Sequence, residues 1–280
     1  MAANIAIFSG GDPYGNSATS TLLPAIADGV YTTVILWAAH INADGSINFN
    51  DCAVAANGQF NADAASWADQ VLALRQNGTI NRIELSIGGD SSSFQNIQSL
   101  IGQYGIGNSN PLYGNLQVLQ TTLQLDAIDY DDESNYDADS SAQLATLCGN
   151  LGMKVSVCPY IRQSYWVDLV NTINTASPGQ CDAVYLQCYD GGAGNIPYQW
   201  NNAFASTGLS MNCGMWATHK TGQFCSLSST FQEVKTQMTL WSSETSLAGG
   251  FMFCGTDMLN CPNGGTPAQY ASAIQSGLGG

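Results

Sequence analysis

Residues 123–137, LQLDAIDYDDESNYD, carry the most informative pattern in the chain. The stretch begins like a buried strand and then places Asp129, Asp131 and Glu133 at every second position. Alternate residues of a strand point to the same side, so these three carboxyl groups face together, about 6.6 Å apart along the strand. Because an ionised carboxylate resists leaving water, a buried strand with three of them on one face is a candidate for chemistry.

Seven further apolar runs of similar length punctuate the chain, and each is rich in β-branched or aromatic residues. They lie at residues 4–10, 31–41, 80–89, 153–160, 182–190, 208–217 and 249–258. Helical spacing of apolar residues fills several of the gaps. Examples are residues 64–78, 141–152, 165–176 and 229–241.

Strand and helix patterns alternate along the whole chain, without a long linker or a break in composition. Eight such units in roughly 250 residues are typical of an α/β fold, the (β/α)8 TIM barrel. We therefore predict a single barrel domain over residues 1–280. The alternative is an open, doubly wound sheet, which usually has a GxGxxG turn after its first strand. The sequence FSGGDPYG at residues 8–15 does not match that turn.

The charge balance excludes some classes of partner. Six Lys and Arg residues face 21 Asp and Glu residues, which gives a net charge of -15. Nucleic acids and anionic membranes both require basic patches, so neither is an expected partner. No apolar stretch has the length of a membrane span. The neutral polar composition favours a secreted protein, with a cytoplasmic one as the alternative because no signal peptide precedes the strand at residues 4–8. We expect a monomer.

The nine cysteines include no CxxC pair, so a zinc cluster is not expected. Only two histidines, His40 and His219, are present, which argues against an imidazole-rich metal site. Three cysteines lie in apolar strand runs and are expected to be free and buried: Cys158, Cys188 and Cys254. Four could form one or two disulfides near the C-terminal end: Cys213, Cys225, Cys254 and Cys261.

The barrel hypothesis gives the acidic face a location. If it points inward, the three acids climb towards the C-terminal mouth, where barrel enzymes keep their chemistry, and Glu133 lies at the rim. Carboxylates this close repel one another when all are ionised, so we expect two of the acids to share a proton and one of them to have a raised pKa. A general acid needs such a raised pKa near neutral pH. Three other acids in or next to the stretch, Asp132, Asp137 and Asp139, are interpreted as solvated loop residues or metal ligands.

The motifs together resemble those of family 18 glycoside hydrolases, the chitinases and endo-β-N-acetylglucosaminidases. Residues 126–133, DAIDYDDE, resemble the family's DGxDxDxE motif, with Ala127 in place of the glycine and a DDE ending similar to that of the endoglycosidases. LSIGG at residues 85–89 is similar to the SxGG motif of the third strand. QCYD at residues 187–190 resembles the sixth-strand motif, and NIAIF resembles the first strand of hevamine-type chitinases. The fourth-strand motif is specific, and the others support it by their order.

The resemblance implies a retaining mechanism in which the substrate's own 2-acetamido oxygen attacks the anomeric carbon, without a protein nucleophile. It implies Glu133 as the general acid, and Asp131 as the group that orients the acetamide N–H and stabilises the oxazolinium ion. Asp129 would share a proton with Asp131. This chemistry requires no metal and no organic cofactor.

The resemblance also implies groups around the substrate. Tyr189 would donate a hydrogen bond to the acetamide carbonyl, helped by Asp190 or Gln187, and Phe8 would line the subsite floor. The family usually ends its eighth strand with a tryptophan below the sugar. Here GGFMFCGTD places Cys254 at that point, and Trp216 of the seventh strand could substitute.

Three more tryptophans lie near predicted strand ends and could either stack on sugars or pack between helices: Trp37, Trp166 and Trp200. Residues 218–248, which separate the seventh and eighth strands, leave no room for the α+β insertion of processive chitinases. A shallow, open groove is therefore expected.

Three functions remain open. The protein would cleave β-1,4-linked N-acetylglucosamine in the chitobiose core of N-glycans, or apply the same chemistry to chitin, or bind such sugars without cleaving them, as a lectin or inhibitor. The intact set of Glu133, Asp131, Asp129 and Tyr189 favours an enzyme over a binder.

Overall fold

The computed structural model describes residues 3–11, 13–14, 17–89, 91–217, 225 and 229–279. Its strands, in chain order, are β1 (Asn4–Phe8), β2 (Thr33–Ile41), β3 (Ile47–Phe49), β4 (Cys52–Ala56), β5 (Gln59–Phe60), β6 (Arg82–Gly89), β7 (Ala127–Asp132), β8 (Lys154–Val157), β9 (Cys181–Gln187), β10 (Met211–Trp216) and β11 (Gly249–Phe253). Its α-helices are α1 (Ser17–Ala27), α2 (Ala65–Ala73), α3 (Ser93–Tyr104), α4 (Pro111–Leu123), α5 (Ala138–Asn150), α6 (Gln163–Ala176), α7 (Pro197–Ala203), α8 (Phe231–Glu244), α9 (Gly255–Asn260) and α10 (Pro267–Gly277).

Eight of the strands form a closed parallel barrel. Their order is β1-β11-β10-β9-β8-β7-β6-β2, and β2 pairs with β1 to close the ring. Each predicted strand run contributes one of these strands, so the predicted (β/α)8 TIM barrel is confirmed. No helix among the described residues is long and apolar enough to cross a membrane.

Strand β7 shows why the chain takes this form. Ile128 and Tyr130 are fully buried in the large apolar core between the barrel and its helices. The intervening Asp129 and Asp131 point to the other side, into the barrel, whose interior is filled by a second apolar cluster that includes Phe8, Tyr185 and Phe251. The alternation of the sequence is therefore the alternation of the two faces.

The chain leaves the barrel after β2 in a feature that the apolar runs did not predict. Strands β3, β4 and β5 form an antiparallel extension that continues from the end of β2. Asn57 and Gly58 both adopt positive φ, 53° and 71°, at the turn between β4 and β5. An Asn-Gly dipeptide between two short strand patterns is the strongest local signal for a two-residue hairpin.

The four predicted helical segments are confirmed as α2, α5, α6 and α8, with ends that differ by up to several residues. One disulfide, Cys225–Cys261, lies in the C-terminal region, whereas Cys213 and Cys254 are free. Of the cysteines expected to be free and buried, Cys158 and Cys254 are both, while Cys188 is free but half-buried. His219 lies outside the described residues.

Candidate active site

The three alternate acids form a ladder inside the barrel. Asp129 is 0% and Asp131 5% exposed, and both lie on β7. Glu133 follows the strand and is half-buried. Asp131 and Glu133 line a cavity of about 610 Å³ at the C-terminal mouth of the barrel. The every-second spacing predicted that the three acids share one side, and the structure places that side in the barrel interior.

The cavity collects residues from six of the barrel strands and from the segments that follow β7, β8, β9 and β11. Its lining consists of Phe8, Trp37, Asp131, Glu133, Cys158, Gln187, Tyr189, Asp190, Trp216, Phe253, Cys254, Thr256, Asp257 and Asn260. Every residue that the sequence singled out for the site is in this lining except Asp129, which lies deeper. In the described residues, no group of three or more His, Cys, Asp or Glu side chains is arranged to hold a metal ion.

Asp131 is held by two donors from opposite sides of the barrel. The indole Nε1 of Trp37 donates to its Oδ2 at 3.3 Å, and the amide Nε2 of Gln187 donates to its Oδ1 at 3.0 Å. Burial raises the pKa of Asp131 well above its usual value, and the neighbouring Glu133 and Asp129 raise it further. Asp131 is thus fixed in orientation, and a positive charge on a bound sugar would stabilise its ionised form.

The Trp37 indole is itself positioned by the extension that the sequence patterns missed. Asn50, between β3 and β4, donates from Nδ2 to the backbone oxygen of Trp37 at 3.1 Å. Its Oδ1 accepts the backbone N–H of Ala38 at 3.2 Å. The extension therefore clamps the backbone beside Trp37.

Asp129 makes its contacts below the cavity. Ser86 Oγ lies 2.8 Å from Oδ2, and Ser156 Oγ lies 2.9 Å from Oδ1. Burial, followed by the charge of Glu84, raises the pKa of Asp129 to about 7. The proton predicted to be shared between Asp129 and Asp131 has another partner within reach, because Ser156 also contacts Glu84 at 2.5 Å.

The interpretation of Asp132 and Asp137 as solvated loop residues is wrong, whereas Asp139 is exposed, in the first turn of α5. Asp132 is 2% exposed and accepts three backbone N–H groups, from residues 134, 135 and 136, at 2.7–3.1 Å. Asp137 caps α5 by accepting the N–H of Ser140 at 2.8 Å. Short polar side chains at such points satisfy free backbone donors. Asp132 thereby holds the turn on which Glu133 lies.

An aromatic wall stands across the cavity from the acids. The Tyr189 ring stacks on Phe253 at 5.5 Å and on Trp216 at 5.9 Å, with interplanar angles of 16° and 28°. Trp37 meets Phe253 edge to face at 4.9 Å. Burial raises the pKa of Tyr189 well above its usual value, so its hydroxyl stays protonated and can donate. Asp190 is exposed at the rim.

The tryptophans divide into two groups. Trp37 and Trp216 line the cavity, whereas Trp166 and Trp200 pack among helices. The Nε1 of Trp166 donates to the oxygen of Ile161, and that of Trp200 donates to Asn195.

The eighth strand supplies an aromatic ring that the sequence reading overlooked. Cys254 lines the cavity as expected, but so does Phe253, the residue before it. Phe251 and Phe253 alternate in the strand GGFMF, which is the signal that both rings point into the barrel.

The fold matches solved structures across the whole chain. The Group IV chitinase of the insect Ostrinia furnacalis matches with a TM-score of 0.67 at 11% identity, over 99% of this chain and 100% of that one. Human YKL-39, described as a pseudo-chitinase with retained chitooligosaccharide binding, matches with 0.67 at 10% identity over the full length of both chains. A class V chitinase from tobacco matches with 0.60 at 12% identity, over 98% of this chain and 99% of that one.

The comparison of sequences gives no such match: no family model and no curated protein is similar to this chain at the level of sequence. At 10–12% identity the structural likeness establishes the fold. The structural neighbours of this chain are family 18 chitinases and chitinase-like proteins, and the chain has their barrel fold.

Proposed function

We propose that the protein is a retaining glycoside hydrolase that cleaves β-1,4 linkages after N-acetylglucosamine by substrate-assisted catalysis. The observation that carries this proposal is the ladder of Asp129 and Asp131 on β7 and Glu133 directly after it, which rises into a cavity with an aromatic wall at the barrel mouth. Barrel enzymes place their catalytic groups at this face. The substrate would be an oligomer or polymer that contains N-acetylglucosamine.

Glu133 is the group that we assign as general acid. It lies at the rim, where it can reach a glycosidic oxygen and later activate water. Its carboxyl group interacts with that of Asp131, whose pKa it raises, as expected for two acids this close. A proton donor placed in this way contributes about 10²–10⁴ to the rate.

The groups around a bound acetamide follow from the contacts. The donors Trp37 and Gln187 hold Asp131 from both sides, which leaves its carboxylate to accept the acetamide N–H and to stabilise a cationic ring. The protonated Tyr189 hydroxyl would donate to the acetamide carbonyl. The tethered carbonyl then attacks the anomeric carbon with a high effective molarity.

Asp131 is poorly placed to act as the nucleophile instead. It lies near the end of β7, and Glu133 follows the same strand two residues later, so the two carboxyl groups are stacked one above the other at the barrel mouth. A protein nucleophile must approach the sugar from the face opposite the general acid. The stacked arrangement therefore favours attack by the substrate's own acetamide.

The second candidate function is that of a carbohydrate-binding protein without turnover. The same aromatic wall would bind an N-acetylglucosamine oligomer, and human YKL-39, which shares the fold, is described as a pseudo-chitinase. In favour of an enzyme, Glu133 and both aspartates are present here. We further propose that the protein acts as a monomer outside the cell, with the cytoplasm as the alternative location.

A cleavage assay tests the proposal and separates the substrates. The protein is incubated with fully acetylated chitin oligomers and, separately, with a high-mannose glycoprotein, and the products are identified by mass spectrometry. Cleavage of either substrate that is lost in Glu133→Gln supports the hydrolase and identifies the substrate class. Binding of the oligomers by calorimetry, with no cleavage in either assay, would assign the binder instead.

A further inference from the structure

Beneath the proposed catalytic acids lies a second carboxyl group, Glu84, that no motif of the sequence indicated. It belongs to β6, is 0% exposed and points into the barrel. Its Oε1 accepts from Arg82 Nε and from the Tyr185 hydroxyl, both at 2.6 Å. Its Oε2 lies 2.5 Å from Ser156 Oγ. Every oxygen of this buried carboxyl is therefore engaged.

Ser156 connects Glu84 to the catalytic ladder. Its Oγ lies 2.5 Å from Glu84 and 2.9 Å from Asp129 Oδ1, so one hydroxyl faces two carboxyl groups. A serine hydroxyl has a single proton and can donate to only one of them. The other carboxyl can bond to Ser156 only by donating to it, which requires that it be protonated. The geometry therefore requires that either Glu84 or Asp129 be protonated in this hydrogen-bonded series of Glu84, Ser156 and Asp129.

The surroundings decide which carboxyl holds the proton. Glu84 has the cationic Arg82 at 2.6 Å and a second donor in Tyr185, and both stabilise its ionised form. Asp129 has neutral serine partners only, and it is completely buried. The proton therefore belongs on Asp129, which donates to Ser156, while Ser156 donates to Glu84.

Other titratable groups interact electrostatically with Asp129 and Glu84. Those that face Asp129 or Glu84 are Arg82 on β6, Asp131 on β7, Cys158 after β8, and Cys181 and Tyr185 on β9. Asp182 accepts from the two terminal nitrogens of Arg82, at 2.7 and 2.8 Å, whereas Glu84 accepts from its Nε. Arg82 is the cation among these groups, and it is shared between Glu84 and Asp182.

We propose that Glu84 is a positioning residue for the hydrolase proposed above: through the Ser156 hydroxyl it keeps a proton on Asp129. A neutral Asp129 does not repel Asp131, so Asp131 can ionise beneath the substrate. When Asp129 loses its proton, the added charge favours protonation of Asp131, which then no longer stabilises a cationic sugar. Activity therefore declines as pH rises through the titration of Asp129, and Glu84 sets where that decline occurs.

The test measures the titration of Asp129 directly and the pH dependence of turnover in parallel. The carboxyl carbons of aspartate are labelled with ¹³C and followed by NMR against pH, and the Asp129 signal is assigned by its absence in Asp129→Asn. The variants are Glu84→Gln and Ser156→Ala. Asp182→Asn is the matched control, because it removes a carboxylate from the same arginine without touching Ser156.

We expect Glu84→Gln to lower the pKa of Asp129 by about one unit, because a like charge is removed and a glutamine amide can reverse the direction of the hydrogen bonds. Ser156→Ala should lower it by less, since neutral Asp129 loses its acceptor. The alkaline limb of kcat/KM should move to lower pH by the same amounts. Asp182→Asn should give a clearly smaller shift.

Three results of the NMR titration would overturn the proposal. The first is an unchanged pKa of Asp129 in Glu84→Gln. The second is a raised pKa of Asp129 in Ser156→Ala, which would place the proton on Glu84. The third is a shift of that pKa in Asp182→Asn as large as the shift in Glu84→Gln. A rate that falls equally at every pH in Glu84→Gln would reduce Glu84 to a structural role. If the wild type cleaves nothing, the proposed hydrolase function is wrong, and the NMR titration still decides whether Glu84 controls Asp129.

Discussion

The interior of the barrel has two layers that use acidic residues in opposite ways. In the lower layer, Glu84 is completely buried, and each of its oxygens meets a donor from Arg82, Tyr185 or Ser156. In the upper layer, Glu133 is half-buried and lines an open cavity of about 610 Å³. Asp129 and Asp131 join the two layers along one strand. The buried carboxyl groups of the lower layer have their hydrogen bonds satisfied, so they stabilise the barrel and retain a proton. The accessible carboxyl groups of the upper layer can act on a ligand.

The largest effect is expected for Glu133→Gln in the upper layer. We predict a loss of about 10²–10⁴ in kcat, because the variant cannot transfer a proton to the glycosidic oxygen. The free energy of unfolding in urea should be nearly unchanged, since the side chain is half-buried at the rim. The control is Glu244→Gln, at the exposed C-terminal end of α8, which should match the wild type in both measurements. Full activity in Glu133→Gln would remove this residue from the mechanism.

The matching change in the lower layer is Arg82→Met. It leaves Glu84 buried without its cation, and breaking a buried ion pair from one side costs about 3–5 kcal/mol. The loss should be seen as a lower midpoint in urea. The control is Arg75→Met, whose partner Asp126 is 38% exposed, so at most about 1 kcal/mol is expected. Equal losses in the two variants would show that the lower layer has no special role in stability.

Asp129 links the layers, and its protonation should appear in the pH dependence of stability. Its pKa is about 7 in the folded protein, against an ordinary value of 3.8. Between these values the folded state keeps a proton that the unfolded state has lost, so the free energy of unfolding falls as pH rises from about 4 to 7, by at most about 4 kcal/mol.

Asp129→Asn should flatten that part of the curve, because an asparagine donates to Ser156 and accepts from Ser86 at every pH. Urea unfolding at half-unit steps of pH measures the slope. A slope in Asp129→Asn equal to that of the wild type would mean that Asp129 is ionised in the folded protein.

The smallest effect is expected for Trp37→Phe. The variant keeps an aromatic ring beside Phe253 but removes the indole donor to Asp131. A hydrogen bond to a charged group contributes about 1.5–3 kcal/mol, so kcat/KM should fall about 10- to 100-fold. Trp166→Phe, which loses a donor among the helices, should lower stability without a comparable change in rate. A lower stability in Trp37→Phe, with kcat/KM unchanged, would mean that Trp37 contributes by packing alone.

Local patterns predicted the barrel and the upper layer well. The every-second spacing of Asp129, Asp131 and Glu133 is a local pattern, and strand geometry alone places the three side chains on one side. Asp132 was misassigned because its burial depends on the turn that folds back over it, which no spacing shows. The Asn57–Gly58 dipeptide is a hairpin signal of its own, separate from the eight alternating units that indicate the barrel.

The lower layer could not be predicted in this way. Glu84 stands in the strand RIELSIGG, where Arg82, Glu84 and Ser86 alternate with apolar residues, which indicates that they share one side of the strand but not what they meet there. Its partners Ser156 and Tyr185 are 72 and 101 residues away in sequence and meet it only when the barrel closes. Phe253, by contrast, was readable from its alternation with Phe251 once the strand was placed.

The central claim is that the substrate's own acetamide attacks the anomeric carbon above Asp131. The most direct measurement compares a fully acetylated chitin oligomer with one that carries free amines at C2, with the anomer of each new reducing end followed by NMR. The account predicts that the acetylated oligomer is cut with retention, and that the free-amine oligomer binds but is not cut after a deacetylated sugar. Rapid cleavage after a free-amine sugar, or a covalent sugar trapped on Asp131, would contradict it.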